Sequence, residues 1–217
     1  MSAFVVHTVP GSPFARAVMA VLEEKGADWR LAPLAPMASK QEPHISRHPW
    51  GRMPVLEHGG FWLYETQAIL RYLDRVLPEP ALTPADPKVA ARMDQLLNIN
   101  DWYLFQGWAA VVVFQRVVGP RLLGMSPDEA AIAQAAPQGQ PVVRELTRLL
   151  GDKPYLCGDQ PSLADFAIAA QLDLMAQTPE WTQVAGSADA LKAWLDRMLA
   201  RPSMQSTTWA NVAAMAA

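Results

Sequence analysis

Four prolines, Pro78, Pro80, Pro84 and Pro87, fall within ten residues of one another. Proline fixes φ, lacks an N–H and disfavours helix at the residue before it, so neither a helix nor a central strand can run through this stretch. It separates two segments of different periodicity. Before it, β-branched and aromatic runs at 4–9, 29–34, 54–57 and 61–63 read as strands. They alternate with helical patterns at 16–25 and 67–77 and with a short helix within 41–46. Gly26 stops the first helix, and Gly59-Gly60 marks a hairpin turn. After the prolines no strand pattern appears. Helices are predicted over 89–118 with a kink near Gly107, from Ser126-Pro127-Asp128-Glu129, over 141–150, from Ser162 to about 177, over 188–200 and over 204–216. The expected architecture is a small βαβαββα domain over 1–78, a linker over 79–87 and an all-α domain over 88–217.

Composition narrows the function classes. The net charge of -3, with no Lys/Arg cluster, leaves no electrostatic footprint for nucleic acid. The single cysteine, Cys157, cannot form a disulfide within the chain and suggests no cysteine-based metal site. The histidines His7, His44, His48 and His58 show no metal-ligand spacing, and no apolar run reaches membrane-spanning length. Met1 to Val9 is too short for a signal peptide, so a cytoplasmic protein is expected.

Ser12-Pro13 stands where the first strand gives way to the first helix. Serine suits the N-cap, and proline suits the first helical position, where a missing N–H costs nothing. A helix N-terminus also presents unpaired N–H groups and the positive end of the helix dipole, which favour an anion. On its own the dipeptide is a helix cap with a hydroxyl beside an anion-seeking end. Ser162-Leu163-Ala164-Asp165 has the form of a capping box, with Asp in place of Glu, and reads as a structural cap.

Three further segments bear on function: Ser12-Pro13-Phe14-Ala15-Arg16-Ala17-Val18, Pro49-Trp50-Gly51-Arg52-Met53-Pro54-Val55-Leu56 and Glu65-Thr66-Gln67-Ala68-Ile69-Leu70-Arg71-Tyr72-Leu73. With Ser162-Leu163-Ala164-Asp165 and the Pro-rich break, they make the chain resemble the soluble glutathione S-transferase family over nearly its whole length. The motifs are closest to the serine-type phi, tau and theta-like members of plants and bacteria.

The resemblance implies a thioredoxin-like first domain that binds glutathione as co-substrate, with no metal or tightly bound cofactor. It makes Ser12 the hydrogen-bond donor to the glutathione thiolate, which attacks a small hydrophobic electrophile. It places Lys40 near the glycine carboxylate, Arg52 near the peptide's carboxylates, and the Met53 backbone, before a cis Pro54, against the cysteinyl group. Glu65 and Thr66 would hold the γ-glutamyl end; without the resemblance, Thr66 is an ordinary helix N-cap. Ser39 stands where plant-type relatives often carry histidine. Phe14, Trp102, Tyr103, Phe105 and Trp108 are candidates for the electrophile pocket. Trp50 is either an aromatic inserted into a partner subunit of a homodimer or a buried loop tryptophan. A non-catalytic binding module and a glutathione-dependent peroxidase or dehalogenase are the alternatives.

Overall fold

A computed structural model describes residues 3–35 and 37–217; Met1 and Ser2, at the head of the N-terminal strand segment, lie outside them. The chain divides into two compact units, one reaching Leu82 and including Arg201–Ala217, the other comprising Thr83–Ala200.

In the first unit β1 (Phe4–Thr8), β2 (Trp29–Pro33), β3 (Val55–His58) and β4 (Phe61–Tyr64) form one sheet in the order β2-β1-β3-β4. β1 is parallel to β2 and antiparallel to β3, with His7 opposite Val55. β3 and β4 form the predicted hairpin, with Val55 opposite Tyr64. All five residues of β1 are buried. A central strand covered on both faces is buried along its whole length rather than at alternate residues, and here the burial includes His7 and Thr8. Helices α1 (Pro13–Glu24) and α3 (Thr66–Val76) pack together, α1 burying Ala15 to Leu22 and α3 burying Ile69, Leu70 and Leu73. A 3₁₀ turn (Ala38–Lys40) and a one-turn helix α2 (His44–Arg47) link β2 to β3.

This unit extends further than the predicted 1–78. Lys25, at the C-terminus of α1, is buried. Its Nζ donates to the carbonyls of Leu77 and Pro80, at 2.6 and 2.8 Å, and lies 2.8 Å from Asp74 Oδ1. Three acceptors use all three ammonium donors, so the first prolines are fastened to the unit rather than left as linker. The C-terminal residues also belong here, not with the all-α domain in which they were expected. Instead of one last helix there are two, α12 (Pro202–Ser206) and α13 (Trp209–Met215), because Thr208 starts a new cap by accepting from Asn211 N at 3.3 Å. The Met204 carbonyl accepts from Arg16 Nη2 at 3.1 Å, and Ser203 Oγ donates to Glu24 at 2.7 Å, tying α12 to α1.

The second unit is helical. α4 (Pro87–Ile99) is capped by Asp86, which accepts from Lys88 N and Val89 N. It continues through a π-helical segment (Asn100–Ala109), α5 (Ala110–Val113), a second π segment (Phe114–Val118) and α6 (Gly119–Leu123). Gly107, where a kink was expected, lies inside the first widened segment. The cap of α7 (Glu129–Ala135) is Asp128, not Ser126; it accepts from Ala130 N and Ala131 N, both at 3.0 Å. In α8 (Gly139–Leu150) Pro141 falls in the first turn, where its missing N–H breaks no bond.

Helix α9 (Leu163–Ala176) is buried on nearly every side, which marks it as the central helix of this unit. Its start is held by Asp165. One carboxylate oxygen accepts from Leu156 N at 2.9 Å and Trp194 Nε1 at 2.8 Å; the other accepts from Ser162 N at 2.8 Å and Ser162 Oγ at 2.7 Å. Burial pushes this carboxyl up, and the four donors work in the opposite direction. α10 (Pro179–Val184) and α11 (Asp189–Leu199) complete the unit. α10 was not anticipated, although Thr178-Pro179-Glu180 has the form of a helix start. Its Glu180 is buried and accepts from Arg116, whose guanidinium also reaches Glu129. Among the described residues no helix is long and apolar enough to cross a membrane.

Candidate active site

The sheet register brings three of the sequence motifs to one end of the first unit. β1 ends there and runs into Gly11 and Ser12. Because β3 is antiparallel to β1, its leading residues Met53 and Pro54 emerge at the same end. β4 also ends there, at Tyr64, and leads directly into Glu65 and Thr66. The N-termini of α1 and α3 therefore converge on one edge of the sheet. Neither helix carries an acidic residue in its first turn, whereas α7, α9, α10 and α11 carry Glu129, Asp165, Glu180 and Asp189. The positive ends of α1 and α3 are thus not neutralised within their own first turns, which suits a bound anion.

Ser12 is the N-cap of α1. Its φ of -72° and ψ of 116° are extended, and its Oγ accepts from Ala15 N at 3.3 Å. That bond uses a lone pair. A hydroxyl has one proton and two acceptor positions, so capping leaves the Ser12 proton available to donate elsewhere. Capping and donation are compatible roles for this residue. The side chain is half-buried, and Phe14 is half-buried in the first turn behind it.

The segment before β3 is held at several points. Lys40 Nζ donates to the Trp50 carbonyl at 2.8 Å, and a His44 ring nitrogen lies 2.7 Å from the Arg52 carbonyl. Gly51 has φ +55°, and a side chain there would stand 2.5 Å from the Ser39 carbonyl and 2.8 Å from Lys40 Cδ. No larger residue fits without moving this backbone. Lys40 and Arg52 are exposed, so both cations face solvent near the sheet edge. The Met53–Pro54 peptide is cis.

α3 begins one residue earlier than predicted. Glu65, not Thr66, occupies the cap position, with φ +71° and ψ 113° and no side-chain cap bond. A non-glycine residue in this region carries a strain of about 1–3 kcal/mol. This conformation leaves the exposed Glu65 carboxylate next to the buried Thr66 at a helix end with no side-chain cap bond.

The aromatic candidates separate in the structure. Trp108 has no exposure and stacks on Trp181, with ring centroids 6.3 Å apart. It belongs to the core of the helical unit and cannot line an open pocket. Trp102 and Tyr103 are largely exposed at 62% and 64%, and Phe105 is half-buried. Helical spacing showed an aromatic stripe without showing which of its members faced inward. Trp50 is 62% exposed, which removes the buried-loop reading. Ser162 and Asp165 are buried in the other unit and serve the start of α9. Two features near the sheet edge had no sequence signal: the Glu65 conformation and the packing of Trp209, from α13, on Gly11.

Residues 2–75 match the family model described as glutathione S-transferase, N-terminal domain, and residues 129–197 match glutathione S-transferase, C-terminal domain. Glutathione S-transferase 3 of Zea mays is 32% identical over 211 residues, covering 95% of this chain and 94% of its own. The structure of glutathione S-transferase III in apo form superposes with a TM-score of 0.84 at 32% identity, covering 99% of this chain and 97% of its own. Glutathione S-transferase-I bound with lactoylglutathione superposes at 0.83 and 25% identity, covering 99% of this chain and 100% of its own. Two family models matched in order and a relative matched almost end to end show the family: the chain belongs to the glutathione S-transferase family.

Proposed function

We propose that this protein is a glutathione transferase in which Ser12 donates a hydrogen bond to the glutathione thiolate. The observation that carries the reading is the Ser12 hydroxyl. It caps α1 through a lone pair, keeps its proton, and sits at a helix N-terminus with no acid in its first turn. A free thiol has a pKa of about 8.5, so only a few per cent is thiolate near pH 7. Each unit of lowering requires about 1.4 kcal/mol of preferential stabilisation of the anion. A hydrogen bond to a charged group contributes about 1.5–3 kcal/mol, and a helix N-terminus about 0.3–1 kcal/mol more. Together they suffice for a drop of about one to three units.

The remaining residues would position the tripeptide. The N-terminus of α3, with Thr66, receives the γ-glutamyl carboxylate, and Glu65 its ammonium. The Met53 backbone before Pro54 pairs with the cysteinyl group. Lys40 and Arg52 meet the glycine end. The ability of a structural relative to hold lactoylglutathione supports this assignment of the ligand class. The sulfur then forms a bond to an electrophilic carbon as the leaving group departs with its electron pair; the thiol proton has already gone to solvent. Ser12 is neither consumed nor covalently modified. Phe14, half-buried in the first turn of α1, is the contact we assign to the hydrophobic co-substrate on the first unit. A cytoplasmic homodimer, with exposed Trp50 at the partner surface, completes the proposal.

Retention on immobilised glutathione, followed by turnover of a generic aryl halide, tests the reading. Ser12→Ala should raise the pKa of the bound thiol by about one unit and lower turnover about ten-fold or more. An unchanged thiol pKa would refute the role of Ser12. Binding without turnover across an electrophile panel would favour a non-catalytic module instead.

A further inference from the structure

The residue before Ser12 is packed against the far end of the chain. Gly11 has φ +89°, and a methyl group placed on it would lie 2.6 Å from Cε2 and 2.7 Å from both Cδ2 and Cζ2 of Trp209. Cε2 is bonded to the other two atoms. A point equally near all three lies over the face of the indole, since an approach along the ring edge would leave Cδ2 distant. The Cα of Gly11 therefore rests on the flat face of Trp209. Among the described residues no backbone hydrogen bond is donated by Gly11 or Ser12. This part of the loop is placed by packing on the indole, and any side chain at position 11 would displace it.

The backbone that carries the indole is fastened on its N-terminal side. α12 is fixed along α1, the helix that Ser12 caps, by Arg16 to the Met204 carbonyl, Ser203 to Glu24, and Arg201 to Glu24. Met204 is fully buried. Thr207 Oγ1 donates to the Ser203 carbonyl at 2.8 Å, and Asn211 Nδ2 donates to the Gln205 carbonyl at 2.8 Å, so the step from α12 to α13 is braced on both sides of Trp209. The same helix thus carries Ser12 at its start and, through α12, the anchor of the ring that presses on Gly11.

We propose that Trp209 is a positioning residue for the Ser12 hydroxyl: its indole face fixes the Gly11–Ser12 peptide and thereby sets how well the hydroxyl stabilises a bound thiolate. The inference rests on the Ser12 reading above. Trp209 acts through Gly11 and touches no reacting atom in this account. It ties the C-terminal helix to the acidity of the bound thiol.

The test uses the full chain and compares Trp209→Ala, Trp209→Leu and Trp209→Phe. The readouts are the ultraviolet absorbance of bound thiolate against pH, kcat and KM for glutathione, and the denaturant midpoint. Trp209→Ala should raise the bound thiol pKa by about half a unit and lower kcat at neutral pH about three-fold, with KM for glutathione nearly unchanged. Trp209→Phe, which keeps a flat face, should recover most of both. Should Trp209→Ala not fold, Trp209→Leu, which keeps apolar bulk without the face, takes its place. In a Ser12→Ala background the Trp209 substitution should produce no further change in thiol pKa, because its effect passes through that hydroxyl. A wild-type thiol pKa in the folded Ala or Leu variant, or a shift that persists in the Ser12→Ala background, would overturn the proposal. If Ser12→Ala alone leaves the thiol pKa unchanged, the Ser12 reading fails; if only the Trp209 variants leave it unchanged, this inference alone fails.

Discussion

Ser12 and Ser162 each open a helix, α1 and α9, but only Ser162 has committed its hydroxyl proton. Ser162 Oγ donates to Asp165, and the same carboxylate takes three N–H donors from Ser162, Leu156 and Trp194. That start is buried, with every partner satisfied inside the fold. Ser12 Oγ instead accepts a single 3.3 Å bond and stays half-buried. A start built for stability closes all its polar groups on one another. The α1 start keeps one donor open and has no acid in its first turn, as the proposed thiolate-binding role requires.

The largest effect should come from breaking the closed start. Asp165→Ala strands several buried donors and should cost about 3–5 kcal/mol in denaturant unfolding. The next variant makes the open start resemble the closed one. Ser12→Asp retains a good cap, so stability should hold within about 0.5 kcal/mol. The added carboxylate should push the bound thiol above its free value of about 8.5 and nearly abolish turnover at neutral pH. Stability loss equal to that of Asp165→Ala would show that the two starts are not different in kind. Ser162→Ala should cost about 1 kcal/mol in unfolding free energy with turnover unchanged; a fall in turnover in a folded sample would contradict its purely structural role.

The smallest effect is one of pH. Burial lowers the pKa of both His7 and His48 in the first unit, despite the Glu57 carboxylate 3.2 Å from His7. The folded state therefore takes up protons less readily than the unfolded chain. The contribution of these histidines to stability is complete above the unfolded value of 6.5 and is withdrawn as pH falls below it toward the folded values. Urea titrations at pH 7.5 and 5.5 should show that loss, and it should shrink in a His7→Gln, His48→Gln double variant.

Much of the first unit was legible because its signals are local. Gly26 ends α1, Gly59-Gly60 turns the hairpin, and the Ser12-Pro13 step starts a helix. The shared sheet edge follows from the antiparallel pairing of β1, β3 and β4, while β2 joins β1 in parallel after the α1 crossover. What stayed hidden depends on distance or context. No local pattern reports that Lys25 reaches Pro80, that residues 201–217 fold back onto α1, or that Trp209 rests on Gly11. Trp102 and Trp108 lie on one aromatic stretch, yet only tertiary packing decides that Trp108 is enclosed and Trp102 exposed. The positive φ of Glu65 is invisible for the same reason: a glutamate adopts it only when β4 and α3 on either side leave no other path.

Cys157, the sole cysteine, acquires a meaning from the chemistry proposed for the rest of the molecule. Burial pushes its thiol up to about 11, and the nearby Asp165 carboxylate acts in the same direction. At neutral pH only about one such thiol in ten thousand is ionised, and the thiolate is the nucleophilic form. A protein that handles compounds reactive toward sulfur would otherwise compete with its own co-substrate and be alkylated by its own substrates. With its one native thiol held in the protonated state, that position is spared as a target, and thiolate reactivity is left to the thiol that the protein borrows.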